Sequence, residues 1–383
     1  MLPPSGGAVA SLFDPRQRKN IDTTLLLALG ALLAVGLVAI HAAVWNRPTG
    51  TMTVVRQALY DVVGLALMVF VASRDYRNFP RYATIFYVVN LLLLGAVLVF
   101  APDVKGAARW IRLPIPGMDF KLQPSEFAKI CIILTLAGYV ARLGPRIREP
   151  LPLLGTLVHV GVPMLLIMKQ PDLGTSMVFL AIWTGVVFLA GARWQHLVAI
   201  FAAAAGLFAF AWHADIYLHD YQKNRVRTFL NPLRDPKGKG YHVLQAQTAI
   251  GGGQVLGQGL HRGMQTTGHF IPENHTDFIF TVVGEEWGFV GACGLLALYG
   301  LLLYRGLVTI RECEDTLGRL IGGGVVTLLT FHLVVNVGMT CGVMPIVGVP
   351  LPFVSFGGSS AWSNLSAVGL LLGIHLRRHT FSF

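Results

Sequence analysis

The 383-residue chain is 54% hydrophobic and only 13% charged, with a formal net charge of +11 at pH 7. Its uninterrupted apolar runs of roughly 20 residues exceed what a soluble domain can bury, which excludes an ordinary globular enzyme and points to a polytopic membrane protein. The cations lie in connections between the runs rather than in a basic tail or patch, which argues against nucleic acid and for anionic membrane lipids and a phosphorylated lipid substrate.

Such runs must be helices, because backbone groups in hydrocarbon are satisfied within the segment; barrel strands would be about ten residues of alternating pattern. Residues 1–22 carry Arg16, Arg18 and Lys19 and read as a cytoplasmic N-terminal segment. The apolar run at 23–44 is too long for a signal-peptide core and reads as a first span. Further spans are predicted at 54–73, 80–100, 123–141, 151–169, 173–191, 195–217, 277–304, 317–342 and 355–376, with 377–383 as a cytoplasmic tail. The fold class is therefore all-α, with about ten transmembrane helices forming one domain over 23–376 and both termini on one side. Cys131, Cys293 and Cys341 fall in apolar segments and Cys313 in a polar connection, without CxxC or ligand spacing, so neither a disulfide nor a zinc site is read.

The positive-inside bias assigns the sides. Arg16, Arg18, Lys19, Arg74, Arg77, Arg81, Arg142, Arg146, Arg148, Arg193, Arg305, Arg311, Arg319, Arg377 and Arg378 fall in one set of connections, which is cytoplasmic. Two outer loops break the rule. The loop at 101–122 carries Lys105, Arg109, Arg112 and Lys121, and the long loop at 218–276 carries Lys223, Arg225, Arg227, Arg234, Lys237, Lys239 and Arg262. Something anionic outside would account for them. The long loop exceeds a connector's usual length. Its centre, Gly251 to Gly259, reads either as flexible chain or as glycines that let backbone approach another surface, and not as a nucleotide motif.

The chemistry-bearing candidates gather on the outer side. Gln123-Pro124-Ser125-Glu126 opens the span at 123–141, where proline and a carboxylate both suit a helix start; Lys129, at i+3 from Glu126, forms either a structural buried pair or a cavity lining. Trp110 reads as an interfacial anchor, whereas the adjacent Arg109 can grip phosphate through its planar fork. In Gln170-Pro171-Asp172, Asp172 is placed as a helix cap. Met344 to Phe353 cannot be regular helix, and Gly357-Gly358-Ser359-Ser360 gives close packing at the last span, so this backbone must line a cavity or be covered by protein.

Asp277 stands where the long loop meets the apolar run, a place where a carboxylate is a functional candidate or else a cap or structural ion pair. On a helical wheel Asp277, Thr281, Gly284, Gly288 and Gly291 share one face, expected to look into the bundle, while Phe278, Val282, Phe289 and Val290 look toward lipid. Glu286 falls opposite Asp277 and needs its own partner. His275 does not pair with Asp277 as a metal site, since residues two apart on a helix do not face each other; it reads as a loop or substrate-contact residue.

Taken together, Trp110-Ile111, Gln123 to Glu126, Gln170 to Thr175, Pro272 to Phe280 with Glu273, His275, Thr276 and Asp277, Gly284 to Glu286, Pro350 to Phe353 and Gly357 to Ser360 resemble the SEDS family (shape, elongation, division and sporulation) of bacterial membrane glycosyltransferases. The loop pieces Arg227 to Pro232, Asp235-Pro236, Gly240 to His242 and Gly263 to Gln265 resemble the elongation branch, RodA, more than the division branch, FtsW. Departures are Phe356 where tyrosine is common, Gln254 closing a Gly-Gly-Gly-Gln run, and Gln258 in place of a frequent lysine.

The resemblance implies a peptidoglycan polymerase in the bacterial cytoplasmic membrane, joining lipid II to a growing glycan strand on the outer face, with a class B penicillin-binding protein as transpeptidase partner. It implies that Asp277 is the catalytic base toward the acceptor hydroxyl and that Glu126 and Lys129 form a charged pair in the central cavity. Arg109, Lys129, Arg225 and Arg227 would stabilise the departing pyrophosphate, in an inverting single displacement. Trp110, Gln123, Ser125, Gln170, Asp172, Glu273, His275, Thr276 and Ser359 are the remaining candidate substrate contacts. No cofactor or dedicated cation cage is specified, although a divalent cation such as Mg often accompanies pyrophosphate. A flippase for lipid-linked precursor and a noncatalytic scaffold for a transpeptidase are the rival readings of the same charged cavity.

Overall fold

The computed structural model describes residues 21–100, 109–115, 118–214, 220–232, 235 and 238–378, with the side chains of 112–120, 220–222 and 239 left aside. The expected cytoplasmic segment before Ile21 with Arg16, Arg18 and Lys19, the tail beyond Arg378, Lys105, Arg234 and Lys237 lie outside the described residues.

Helices stand at every predicted span: α1 (Thr23–Val44), α2 (Gly50–Ser73), α3 (Ala83–Phe100), α4 (Pro124–Leu143), α5 (Pro150–Lys169), α6 (Leu173–Leu189) and α7 (Trp194–Ala214), then, beyond the long loop, α11 (Ile279–Glu312), α12 (Thr316–Thr340) and α13 (Gly358–Leu376). Among the described residues, eight helices are long and apolar enough to cross a membrane. The 17-residue α6 is shorter and the 19-residue α13 less apolar, yet both occupy predicted spans. The protein is an all-α polytopic membrane protein.

Local chemistry sets the helix starts. Asp22 caps α1 by accepting from Leu25 N at 3.0 Å, Asp172 caps α6 by accepting from Thr175 N at 3.1 Å, and Asp315 caps α12 by accepting from Gly318 N at 3.0 Å. Pro124 and Pro150 stand at the starts of α4 and α5, where a missing N–H costs nothing. Asp22 also takes Arg305 Nε at 2.8 Å, tying the start of α1 to the far half of α11.

α12 lies centrally, packed against α4, α6, α11 and α13. Small residues set the α2–α13 pair: a Cβ on Gly369 would meet the Met68 carbonyl oxygen at 2.6 Å, and one on Gly64 would meet Leu365 Cδ1 at 2.4 Å. Arg377 fastens the end of α13 by donating to the Ala72 and Ser73 carbonyls, each at 2.9 Å. α7 stands at the edge and buries little besides Leu197.

Two loops hold elements that the sequence reading left unassigned. The outer loop at 101–122 contains an antiparallel hairpin, β1 (Ile111–Ile115) with β2 (Met118–Leu122), in register Ile111 to Leu122 and Leu113 to Phe120. The long loop holds α8 (Asp220–Leu230), α9 (Lys239–Gly252) and α10 (Met264–Thr267). The link from Val343 to Gly357 is covered by protein, as expected for its non-helical backbone: a Cβ on Gly36 of α1 would meet the Phe353 carbonyl oxygen at 2.4 Å. α13 starts beside Tyr60, about 15 Å along α2 from Gly50. The link therefore re-enters the bundle, and α13 begins at depth.

The wheel drawn through Asp277 fails for a physical reason. Asp277 and Phe278 precede α11, and Gly288 breaks it with φ 65° and ψ −161°. Phe278 and Val282 are buried in protein instead of facing lipid, while Phe289 and Val290 are exposed as expected. Backbone groups released by the break are taken over by the glycine-rich loop: Gln258 and Gly259 N–H donate to the Glu285 and Glu286 carbonyls, and Phe289 and Val290 N–H donate to those of Gln254 and Val255, at 2.9 to 3.1 Å. A Cβ on Gly253 would lie 1.9 Å from the Gly284 carbonyl oxygen, so these glycines serve close approach.

Candidate functional site

A cavity of about 300 Å³ opens between the starts of α4 and α6, the turn before α11, the middle of α12 and the re-entrant stretch from Gly348 to Ser360. Asp277, Glu126, Lys129, Arg109, Trp110, Gln123, Asp172, Glu273, Thr276 and Ser359 all line it. Residues scattered over some 250 positions of sequence thus meet in one hollow.

The backbone under Asp277 is clamped at three consecutive carbonyls. Phe356 N–H donates to His275 O at 2.9 Å, Ser355 Oγ to Thr276 O at 2.6 Å, and Asn336 Nδ2 to Asp277 O at 2.9 Å. The second Asn336 hydrogen goes to Val349 O at 2.8 Å, so α12 joins the Asp277 turn to the re-entrant link. The Asp277 carboxylate accepts no hydrogen bond among the described residues. It lies against Gly348, whose φ of +73° favours glycine and where a Cβ would come within 3.2 Å of Oδ2. Burial pushes its pKa from the ordinary 3.8 up to about 6; the negative charges of Glu273 and Asp172 add to the rise, and Arg109 and Arg225 oppose it.

Deeper in the hollow Lys129 Nζ donates to Glu126 Oε2 at 2.7 Å, with both side chains buried. On its other side His332 Nε2 lies 3.4 Å from the same nitrogen. Ser363 Oγ donates to the Glu126 carbonyl at 2.7 Å, fixing the first turn of α4 against α13. The mouth is ordered by Gln123, whose N–H donates to Ser359 Oγ at 3.0 Å and whose side chain donates to Ser125 Oγ at 3.1 Å and to Asp172 Oδ2 at 3.2 Å. Arg109 Nε donates to Gln170 O at 3.0 Å, another of its nitrogens donates to Pro171 O, and its guanidinium lies 3.8 Å from Asp172.

Other candidates sit outside the lining. Gln170 is buried and donates to Leu94 O at 3.0 Å, and Ser125 is buried behind Gln123. The His275 ring packs against Phe356 with centroids 5.6 Å apart. Arg225 reaches the re-entrant link, donating to Ile346 O at 3.2 Å. Arg227 is not brought to the cavity, because its guanidinium lies over the Trp212 ring, 5.8 Å from the centroid. Glu286 is buried at the Gly288 break with its carboxylate facing the His261 backbone.

His332 and Asn336 belong to no motif quoted above, and neither do Gln57 and Asp61. Their signal is spacing: polar residues four apart within an apolar helix share one face. Gln57 accepts from Gly357 N–H at 3.0 Å and donates to Asp61 Oδ1 at 2.9 Å, supporting the cavity floor from α2. Among the described residues no group of three or more His, Cys, Asp or Glu side chains has the geometry to hold a metal ion.

The hollow therefore offers a carboxylate that accepts no hydrogen bond among the described residues, a buried ion pair and a cation at its rim, a set suited to accepting a proton beside an anionic group. The cell cycle protein family FtsW/RodA/SpoVE matches residues 22–380. The chain is 38% identical over 366 residues to the peptidoglycan glycosyltransferase MrdB of Escherichia coli K12, covering 95% of each. It is similar to a chain of a peptidoglycan synthase complex solved in a study of coordinated polymerization and crosslinking, with a TM-score of 0.81, 34% identity and coverage of 94% and 99%. The rod shape determining protein RodA of Thermus thermophilus superposes with a TM-score of 0.68 at 30% identity, covering 94% of this chain and 98% of that one. With residues from most of the quoted motifs lining one cavity and a match spanning nearly its whole length, the chain belongs to the FtsW/RodA/SpoVE family.

Proposed function

We propose that this chain is a peptidoglycan glycosyltransferase that polymerises lipid II into glycan strands for cell elongation, with Asp277 as the base. The observation that carries the reading is that the Asp277 carboxylate and the Glu126–Lys129 pair border the same cavity as Arg109. The named relatives, MrdB and RodA, support the elongation branch.

In this reading the acceptor sugar hydroxyl gives its proton to Asp277 as its oxygen bonds to the donor's anomeric carbon, and the bond to the undecaprenyl pyrophosphate oxygen breaks. The electron pair leaves on pyrophosphate, which departs as an anion, so a second carboxylic acid is not required; this distinguishes the reaction from glycoside hydrolysis. A carboxyl with pKa near 6 is a stronger base than one at 3.8 and is still ionised at neutral pH. Lys129 and Arg109 are the cations available to the leaving group, and Arg225 acts from behind the re-entrant link. His275 and Gln170 serve as supports, and Arg227 has no direct part.

The cavity lies at the ends of α4 and α13 opposite to Arg142 and Arg377. The positive-inside bias makes those cationic ends cytoplasmic, which supports an outer-face reaction in the cytoplasmic membrane by residues 23–376 acting as one domain. The peptidoglycan synthase complex among the similar structures supports a class B penicillin-binding protein as partner.

The test is lipid II polymerisation by purified, reconstituted protein. Asp277→Asn should fold and bind lipid II yet make no glycan; normal product from that variant would discard the assignment. Protected translocation of lipid II without polymer would favour a flippase, and absence of product from wild type with its partner would favour a scaffold.

A further inference from the structure

A second cavity, of about 260 Å³, lies between α3, α4 and α5 at the end of the bundle away from Asp277, and Thr84, Tyr87, Thr135, Tyr139, Arg142 and His159 line it. Arg142 stands one residue before the end of α4, Tyr139 about one turn deeper and Thr135 a further turn down. The deepest groups are satisfied among themselves. Tyr87 stacks on His159 with centroids 4.2 Å apart and donates to the His159 carbonyl at 2.7 Å, and His159 Nε2 lies 3.0 Å from Thr135 Oγ1.

The upper groups are not. The Tyr139 hydroxyl makes no hydrogen bond among the described residues, and the absence of a side chain at Gly155 leaves it room, since a Cβ there would sit 2.9 Å from it. Arg142 donates through Nε to Gly138 O at 3.1 Å, and among the described residues no carboxylate pairs with its guanidinium. Arg81 is exposed just before α3. The flanks are bare and apolar: Ile85 and Val89 on α3 and Leu154 and Val158 on α5 are all exposed.

An exposed cation with the unbonded Tyr139 hydroxyl one turn below it and the Thr84 hydroxyl in the same cavity, set in an apolar wall, matches a ligand with an anionic head, oxygen acceptors beneath and hydrocarbon below those. We propose that this cavity binds an anionic glycerophospholipid of the leaflet on that side, which the charge bias makes cytoplasmic. Arg142 holds the phosphate through its fork, the Tyr139 and Thr84 hydroxyls donate to the glycerol and ester oxygens, and the acyl chains lie along α3 and α5. A zwitterionic lipid would bring its own cation against Arg142 and Arg81, so the site discriminates by net charge.

The test titrates the purified full-length protein with dioleoyl phosphatidylglycerol, dioleoyl phosphatidylcholine or undecaprenyl phosphate and counts retained lipid by native mass spectrometry. Phosphatidylglycerol should be retained and phosphatidylcholine not. Arg142→Gln should weaken phosphatidylglycerol about tenfold, and Tyr139→Phe, which keeps the ring and its packing, about threefold. Equal retention of the two phospholipids, or undiminished retention by both variants, would overturn the proposal. Displacement of phosphatidylglycerol by an equal amount of undecaprenyl phosphate would overturn it in favour of a prenyl phosphate site.

Discussion

Asn336 holds the candidate base by its backbone: its side-chain amide donates to the Asp277 carbonyl at 2.9 Å and to the Val349 carbonyl at 2.8 Å, so one residue of α12 sets the spacing between the base-bearing turn and the re-entrant link. Asn336→Leu keeps the volume and removes both donors. The variant should lose about 100-fold in kcat on lipid II with KM within about twofold, because displacement of a reacting group, and not substrate binding, is what changes. Steady-state polymerisation kinetics check this, and an unchanged kcat would remove Asn336 from the positioning of Asp277.

The elevated Asp277 carboxyl gives two opposite pH effects. In its proposed role as base it must be ionised, so kcat/KM should rise with pH below about 6 and level off above it. For stability the sign reverses. A carboxyl raised from 3.8 to about 6 favours the fold below 3.8 and loses that contribution as pH rises through 6, a difference of at most ~3 kcal/mol. Asp277→Asn should therefore melt above the wild type at pH 8 and converge with it near pH 4. Thermal unfolding in detergent at both pH values is the measurement.

Glu126 and Lys129 form a buried pair at 2.7 Å, for which loss of one partner is worse than loss of both. Lys129→Met strands a carboxylate and should destabilise by about 3–5 kcal/mol. Adding Glu126→Gln should recover most of that stability without restoring polymerisation, since the cation proposed to stabilise the leaving group stays absent. A double-mutant cycle read by melting and by glycan synthesis separates the two roles.

Gly257 has φ +83° and a Cβ there would meet the Glu286 carbonyl oxygen at 2.1 Å. Gly257→Ala should lift the loop from the Gly288 break and expose 254–259 to protease, whereas Gly30→Ala in α1, where a Cβ meets nothing within 4 Å, should leave the digestion pattern unchanged.

The spans, the outer convergence of motifs and the pair at Glu126 and Lys129 were legible in the sequence because hydrophobic run length and i, i+3 spacing are local signals. Asp277 was legible through the motif around it and through its place at the edge of an apolar run. The contributions of Asn336, His332 and Gln57 were not, because each acts on a segment far away in the chain. The break at Gly288 was hidden in the same way: Glu286 marked the run as irregular, yet nothing local shows that Gln254 and Val255, some 35 residues earlier, will replace helix carbonyls. Arg225 and Arg227 read alike as loop cations, but both stand on α8, where residues two apart point away from each other, one to the re-entrant link and the other to Trp212.

The stitched break at Gly288 makes the outer loop and the half-helix Ile279–Trp287 a single mechanical unit. A load applied to residues 254–259 passes through main-chain hydrogen bonds straight into the segment that begins two residues after Asp277, without any relay of side chains. The longer half of α11 is tethered separately, by Arg305 to Asp22. Gly288 thus joins two arms held by different parts of the chain, the short one bonded to the outer loop and the long one to the start of α1.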